Sequence, residues 1–386
     1  MNAETGATTF WVDRVRQAAA TGVPLRVRGG GSKDFYGQAL TGDVLDMSQF
    51  TGVISYEPSE LVVTVRGGTP LAELESLLAA HGQCLPFEPP HFGPHATVGG
   101  MVASGLNGPA RANVGAVRDY LLGVVLLNGK GECLTFGGQV MKNVAGYDVS
   151  RLMAGALGTL GVLLEVSLKV LPVAPAEATL MCSLAQQPAL DLLNRWGGQP
   201  LPLNASCWLH DDSASPMKDF LFVRLRGAVA AVEAACPRMM ADVQRAGGHA
   251  SRMDSAQASA DWNACREQTL PFFAQPPSPD ACLWRLSVPQ TAPALDLPYP
   301  QLIEWHGALR WLWAPAAASM QLRQAAQQAG GQATLFRRAA NASMNGPVDV
   351  PVFTALAPVQ LRIQRELKKQ FDPAGVFNPG RMYADW

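Results

Sequence analysis

Apolar residues recur at helical spacing near the start of the chain and predict a helix over residues 10–20. Alternating apolar and polar positions then predict four short strands, at residues 25–28, 44–47, 52–56 and 61–65. Thr69 followed by Pro70 is typical of a helix start, with Thr69 as the N-cap. That second helix is predicted to run to His81 and to end at the following glycine.

Turn-forming residues divide the next part of the chain. Residues 85–95 are dense in proline and histidine and predict a loop, after which Thr97 opens a short helix of small residues. The sequence Asn128-Gly129 between two apolar runs predicts a hairpin of strands at residues 120–127 and 132–136. A helix at 149–154, a glycine-rich segment at 155–161 and an apolar strand at 162–171 are predicted to follow.

The pattern weakens after Pro172, where alanine, proline and glutamine become frequent. Strands are predicted at residues 221–225, 283–288 and 308–313, and helices at 229–235, 320–329 and 358–369. We therefore predict a domain at residues 1–172, a second at 173–340, and a C-terminal segment at 341–386 that returns to the first.

Composition narrows the function classes. The net charge of −1 gives no electrostatic basis for binding nucleic acid. Only 16% of residues are charged, against roughly 25% in typical soluble domains. The chain is therefore expected either to bury an unusual share of its surface or to contact partner subunits. No apolar run is long enough to span a bilayer, and the N-terminus lacks a secretory pattern, so a cytoplasmic protein is expected. The seven cysteines lack the spacing of an iron–sulfur site.

Glycines supply the candidate chemistry. The run Arg28-Gly29-Gly30-Gly31-Ser32 follows a predicted strand, where glycines let backbone amides approach an anion. Taken alone, the run fits a tight turn as well as a phosphate loop. It lacks the G-x-G-x-x-G spacing of a dinucleotide fold, and Gly129-Lys130-Gly131 lacks the P-loop pattern.

The order of several motifs along the chain favours the phosphate loop over the tight turn. The chain contains RVRGGGSKDFYG, ATVGGMVASG and KNVAGYDVSRLMAGALGTLGVLLEVSLKVLP, and near its end FDPAGVFNPGR. Over residues 20–172 it resembles the FAD-binding domain of the vanillyl-alcohol oxidase/PCMH flavoprotein family, and the terminal motif matches the same family. Within that family the chain is most similar to the E-type FAD subunits of bacterial glycolate oxidases.

The resemblance implies an α+β protein with a PCMH-type, two-subdomain FAD-binding domain and a second, cap-like α+β domain. It also implies an FAD site. The residues that match the family's binding positions are Gly29, Gly30, Gly31, Ser32, Thr97, Val98, Gly99, Gly100, Gly146, Tyr147, Asp148, Gly158, Thr159, Gly161, Val162 and Asn378. Some relatives attach the flavin through a histidine in the first glycine loop. Ser32 stands there in this chain, so non-covalent FAD is expected.

The metal-binding motifs of catalytic D-type relatives, His-x-Gly-Asp-Gly-Asn-x-His and Glu-His-Gly, are absent from the sequence. No metal site is therefore expected, and no catalytic residue is assigned. His306 and Arg310 fit either a carboxylate site or a strand packed among tryptophans, and His91 and His95 fit loop packing better than metal binding. The pair Tyr147 and Asp148 fits a flavin contact or a structural hydrogen bond equally well.

The resemblance finally implies partners. The chain is expected to serve a complex that oxidises glycolate, D-lactate or a similar 2-hydroxy acid, together with a catalytic FAD subunit and an iron–sulfur subunit. Peripheral membrane association would run through those partners. Two alternatives stay open: a self-sufficient FAD-dependent dehydrogenase, and a non-redox scaffold whose FAD is structural.

Overall fold

The computed structural model of the chain describes residues 3–138, 148–211, 218–342 and 350–384. Its α-helices are α1 (Ala3–Thr21), α2 (Leu71–Ala79), α3 (Val98–Ser104), α4 (Arg111–Val114), α5 (Val117–Tyr120), α6 (Val149–Leu152), α7 (Gln186–Gly197), α8 (Val229–Arg245), α9 (Ser255–Glu267), α10 (Pro271–Ala274), α11 (Ser319–Gln328) and α12 (Pro358–Phe371). Its strands are β1 (Leu25–Arg28), β2 (Asp43–Asp46), β3 (Val53–Glu57), β4 (Val62–Arg66), β5 (Gln83–Cys84), β6 (Leu121–Leu127), β7 (Cys133–Gly137), β8 (Val162–Lys169), β9 (Leu171–Pro172), β10 (Ala176–Ser183), β11 (Leu203–Asp211), β12 (Lys218–Gly227), β13 (His249–Arg252), β14 (Ala281–Ser287), β15 (Gln301–Glu304), β16 (Leu309–Pro315) and β17 (Gln332–Arg337).

The N-terminal half contains a parallel pair, β1 with β2, and a five-stranded antiparallel sheet in the order β3-β4-β8-β6-β7. Strand β8 lies at the centre of that sheet and is covered on both faces. Leu163 and Val166 pack into the core beneath α2 and α3, whereas Val162 and Leu164 pack into the core beneath α1. This double burial explains why the strand is apolar at successive positions rather than alternating.

The second helix begins one residue later than the sequence predicts. It starts at Leu71 with Pro70 in the cap position, and no side chain caps it. The Thr69 hydroxyl instead bonds the backbone of Gly52, accepting from its N–H at 3.0 Å and donating to its carbonyl at 3.2 Å. Thr69 as N-cap was therefore wrong, because a contact with a distant segment takes the hydroxyl that would have capped the helix.

An eight-stranded antiparallel sheet follows, in the order β13-β10-β12-β11-β15-β16-β14-β17. Helices α7 and α8 pack against it around Trp196 and Met239. All eight strands come from residues 176–337, and all five strands of the first sheet come from residues 53–169. This distribution supports the proposed boundaries at 172 and 340, which stay a proposal.

A buried ion pair connects a loop of the N-terminal half to the second sheet. Glu88, in the loop between α2 and α3, accepts hydrogen bonds from Arg224 Nη2 on β12 at 2.6 and 2.7 Å and from the backbone N–H of Ala110 at 3.2 Å. Burial would raise the pKa of the Glu88 carboxyl, but Arg224 and Arg226 outweigh it and hold that pKa below its usual value. Glu88 and Arg224 therefore form an ionised pair, and this pair fixes the loop against the second sheet.

The chain end returns to the first strand. Leu25 forms a parallel bridge with Phe377, and the Leu25 carbonyl accepts the backbone N–H of Asn378 at 2.9 Å. The chain end thus pairs with β1 directly before the glycine run, while the assignment of residues 341–386 to the first domain stays a prediction.

A glycine-lined cleft as the candidate cofactor site

An open cleft lies where the glycine-rich segments meet. Eleven of the residues predicted to bind FAD line it: Gly29, Gly30, Gly31, Ser32, Thr97, Gly99, Gly100, Gly158, Gly161, Val162 and Asn378. Residues distant in sequence, from β1 to the chain end, thus form one wall.

The first glycine run packs against the segment that leads into α3. A Cβ atom on Gly29 would lie 2.3 Å from the Thr97 hydroxyl oxygen, and one on Gly30 would lie 1.5 Å from the carbonyl oxygen of His95. Neither approach is possible for a residue with a side chain. The run therefore needs glycine for its contact with residues 95–97, and the same approach leaves bare backbone facing the cleft.

The turn after this run is fixed by charge. Gly31 has a φ of +73°, which favours glycine, and Asp34 accepts from Arg26 Nη2 and Arg28 Nε, both at 2.7 Å. Because one carboxylate is shared by two guanidinium groups, the loop carries excess positive charge beside the cleft.

Asn378 ties the second glycine segment to β1. Its Nδ2 donates to the Leu157 carbonyl at 2.6 Å, and its Oδ1 accepts the Val27 N–H at 2.8 Å. Gly158 has a φ of +70°, and a Cβ there would lie 2.7 Å from Asn378 Nδ2. The C-terminal motif and the glycine segment therefore depend on each other sterically.

Comparison with known proteins places the chain in a family. A family model described as the FAD binding domain matches residues 11–137. The chain is 44% identical over 374 residues to the glycolate oxidase subunit GlcE of Escherichia coli, with 97% of each chain covered. The chain belongs to the GlcE family of glycolate oxidase subunits. The expected resemblance to E-type FAD subunits is confirmed.

More distant relatives match only part of the GlcE-family chain. The glycolate oxidase subunit GlcD of Bacillus subtilis is 29% identical over 41% of this chain and 34% of its own length. A D-lactate dehydrogenase of Archaeoglobus fulgidus is 32% identical over 39% of this chain and 34% of its own. The solved structure of an alkyldihydroxyacetonephosphate synthase superposes with a TM-score of 0.67 at 14% identity, covering 95% of this chain and 74% of that one.

These findings confirm several expectations. The α+β fold class with a PCMH-type FAD-binding domain is confirmed, as are FAD as the cofactor and the class of FAD-dependent oxidoreductase subunits.

Within the described ranges, no helix is long and apolar enough to cross a membrane. Those ranges also contain no group of three or more histidine, cysteine, aspartate or glutamate side chains able to hold a metal ion.

Three predicted site residues lie outside the cleft lining. Val98 is fully buried, and its N–H donates to the Thr69 carbonyl. The Thr159 hydroxyl donates to the Ala156 carbonyl at 2.7 Å. Asp148 caps α6 and pairs with Arg151 at 2.9 Å, with 41% of its side chain exposed. Gly146 and Tyr147 lie outside the described residues, so a contact of Tyr147 and Asp148 with FAD stays a prediction.

Sequence reasoning missed Lys33. Its mostly buried ammonium group lines the cleft and donates to Ser32 Oγ at 3.2 Å and to the His91 carbonyl at 3.1 Å. Burial lowers its pKa to about 8, although Glu267 opposes the shift. No carboxylate of the described residues forms an ion pair with it within 4 Å. A buried cation without a carboxylate partner suits an anionic ligand such as a diphosphate.

Arg381 was missed as well. Its guanidinium donates to the carbonyls of Gln38, Asp34 and Tyr36, so the last motif residue holds the loop that follows the glycine run. The signal was present in the terminal FDPAGVFNPGR, in which Arg381 is the final letter.

His306 and Arg310 favour the structural alternative. Arg310 is fully buried and donates to the carbonyls of Gly307 at 2.7 Å and Ala292 at 3.0 Å. His306 Nδ1 bonds Ser206 Oγ at 2.9 Å, and burial lowers its pKa to about 4. These contacts with Ser206 on β11 and with the loop at Ala292 favour packing over a carboxylate site.

His91 and His95 lie in the predicted loop. His91 Nε2 pairs with Glu75 at 3.0 Å, and its backbone N–H donates to Glu267. His95 presents its carbonyl to Gly30. The observed contacts are those of loop packing beside the cleft.

Proposed function

We propose that this chain is the second FAD-bearing subunit of a complex that oxidises glycolate or a similar small 2-hydroxy acid, working with a catalytic FAD subunit and an iron–sulfur subunit. The observation that carries the proposal is the near full-length similarity to E. coli GlcE, combined with the glycine-lined cleft. The subunit names of the relatives imply a multi-subunit glycolate oxidase. The identity of the partners is our proposal.

The residues fit FAD on steric and electrostatic grounds. We propose that the amides of Gly29 to Ser32 hold the diphosphate and that the Lys33 ammonium offsets its charge. The glycines of residues 158–161 and Asn378 would hold the rest of the cofactor against β1. FAD, when bound, supplies two-electron redox chemistry, and the chain positions it and excludes water.

We expect FAD to be released in free form when the purified chain is precipitated with acid. None of the described residues that line the cleft is a histidine, cysteine or tyrosine, the nucleophilic side chains able to form a flavin linkage. The measurement is the absorbance and chromatographic identity of the flavin in the supernatant. Flavin that remains with the pellet would contradict non-covalent binding, and release of FMN would contradict the adenosine portion of the site.

A second experiment compares the activity of the isolated chain with that of the complex, with and without this chain. We expect the isolated, FAD-loaded chain to oxidise glycolate and D-lactate at most very slowly, because the chain lacks the metal-binding motifs of its catalytic relatives. Omitting the chain from the complex should abolish glycolate-dependent reduction of an artificial acceptor. Turnover by the isolated chain equal to that of the complex would favour a self-sufficient dehydrogenase, and full activity without the chain would refute an essential role.

A further inference from the structure

A second cavity lies between the loop at residues 106–109 and the eight-stranded sheet. It is only a small fraction of the size of the cofactor cleft, so it suits a molecule of few atoms rather than a dinucleotide. Aromatic rings of Phe92, Trp305, Trp311 and Phe336 form much of its wall. Apolar walls with a few converging polar groups are typical of small-ligand sites.

Arg285 on β14 is the principal cation of this cavity. Its guanidinium stacks on the rings of Trp305 and Trp311, at 5.2 and 6.0 Å from their centroids, and hydrogen-bonds Tyr36. Its Nε is buried and has no hydrogen-bond partner. An unpartnered buried donor costs free energy, so a donor of this kind in a cavity wall calls for an acceptor from outside the chain.

The surroundings leave positive charge uncompensated. Arg111 stacks on the same Trp305 ring at 4.5 Å and lies close enough to Arg285 for the two charges to repel. Within the part of the chain that the structure describes, neither guanidinium forms an ion pair within 4 Å. Two arginines around one tryptophan therefore favour a bound anion.

Glu304 adds a second polar group. Its Oε2 accepts from Trp311 Nε1 at 2.6 Å and its Oε1 accepts from the Cys265 thiol at 3.4 Å. Burial raises the pKa of Glu304 to about 7, so a large fraction is protonated at neutral pH and can donate a hydrogen bond. It therefore neutralises Arg285 only in part.

The cavity adjoins the cofactor cleft. Lys33 lines the cleft, and its Nζ lies 5.7 Å from the ring centroid of Phe92, which lines the cavity. A small molecule in the cavity would lie on the Lys33 side of the cleft.

We propose that this cavity binds a small monocarboxylate with a 2-hydroxyl or 2-oxo group, with its carboxylate on Arg285 and its second oxygen towards Glu304. The choice of a 2-hydroxy or 2-oxo acid as the ligand rests on the proposed function, whereas the carboxylate site at Arg285 does not. The chain would thus have an acid-binding site of its own, although it lacks the metal motifs of its catalytic relatives.

The test is calorimetric titration of the full-length, FAD-loaded chain with glycolate, and separately with glycolamide and acetate. Glycolate should bind saturably at one site. Glycolamide, which lacks the charge, should bind at least roughly 10-fold more weakly, and acetate, which lacks the hydroxyl, should also be weaker. Tryptophan fluorescence gives a second readout, because Trp305 and Trp311 line the cavity.

Arg285→Gln should weaken glycolate binding at least roughly 10-fold, whereas Arg323→Gln should leave it unchanged. Arg323 is the matched control because its Nε is likewise buried and unpartnered but it lies on α11, outside the cavity lining. If Arg285→Gln fails to fold, the glycolate and glycolamide comparison on the unaltered chain still decides, and Arg285→Lys should retain part of the affinity.

Equal binding of glycolate and glycolamide, or no saturable binding to the folded chain, would overturn the pocket proposal. So would a folded Arg285→Gln variant with unaltered affinity. These outcomes leave the proposed function standing as long as the complex still depends on the chain. Conversely, charge-dependent glycolate binding by a chain that the complex does not need would support the pocket and refute the function.

Discussion

Replacing Gly30 with alanine should abolish FAD retention. The added Cβ would lie 1.5 Å from the carbonyl oxygen of His95 and 2.5 Å from its carbonyl carbon. These are backbone atoms, so no side-chain rotation relieves the overlap, and the glycine run and the residues leading into α3 must separate. Because both segments line the cleft, even the smallest side chain should distort the surface that holds the cofactor.

The measurement is the ratio of FAD to protein after gel filtration, with circular dichroism to establish that the variant is folded. Gly197→Ala is the matched control, since a Cβ at that helical position meets no atom within 4 Å and the residue lacks a positive φ. The control should keep full FAD occupancy. A folded Gly30→Ala protein with normal occupancy would show that this loop does not hold the cofactor.

The same pair of variants separates a redox role from a scaffold role. If a complex assembled with Gly30→Ala loses glycolate oxidation while the Gly197→Ala complex remains active, the flavin of this subunit takes part in the reaction. If the Gly30→Ala complex assembles without FAD in this subunit and remains active, the flavin is structural or dispensable.

The sequence predicts the glycine run, but the structure shows a different reason why position 30 must be glycine. From sequence, a side chain at Gly30 would obstruct the approach to a diphosphate. In the structure, the first obstacle is the carbonyl of His95, sixty-five positions along the chain. A local pattern identifies a position that needs glycine, whereas the atom that imposes the need is fixed by tertiary packing.

The N-terminal half was predictable because its elements follow local rules. Strand β1 spans Leu25–Arg28, as expected, and the hairpin of β6 and β7 turns at Asn128 and Gly129. The secondary structure of the second half was less predictable. Strand β11 was not predicted, since five successive residues are buried and its faces pack into two different cores, which removes the alternation that marks a strand.

In the candidate site, too, some residues could be predicted from the sequence and others could not. The glycines and Asn378 were found because they match the binding positions of the flavoprotein family that the chain resembles, and most of them line the cleft. Lys33 and Arg285 were missed because each depends on neighbours from other segments, His91 for the former and Trp305 for the latter. Pairing of charge with burial cannot be derived from spacing along one sequence.

Replacing Lys368 with methionine should destabilise the protein strongly and weaken FAD binding. Lys368 lies on α12, and its Nζ donates to Asp372 Oδ2 at 2.7 Å, the Thr159 carbonyl at 2.7 Å and the Phe377 carbonyl at 2.8 Å. The Asp372 side chain is 0% exposed. Removing the ammonium leaves a buried carboxylate without its counter-charge, which typically costs about 3–5 kcal/mol.

The effect should reach the cofactor through the chain end. Asp372 accepts the N–H groups of Val376 at 3.1 Å and Phe377 at 2.8 Å, and so sets the path that delivers Asn378 to the cleft. Lys369→Met is the matched control, because Lys369 is adjacent, carries the same charge, and pairs with Glu366 while 68% exposed. Exposed pairs of this kind contribute at most about 1 kcal/mol.

Thermal unfolding monitored together with flavin fluorescence measures both consequences. Lys368→Met should unfold at a clearly lower temperature than Lys369→Met and, on dilution, should already release FAD at a higher protein concentration. Lys369→Met should resemble the unaltered chain. Adding Asp372→Asn to Lys368→Met should recover part of the lost stability, because the amide removes the uncompensated charge while its oxygen can still accept the Phe377 N–H. If Lys368→Met matches Lys369→Met in both readouts, the buried pair neither anchors the C-terminal segment nor supports the cleft.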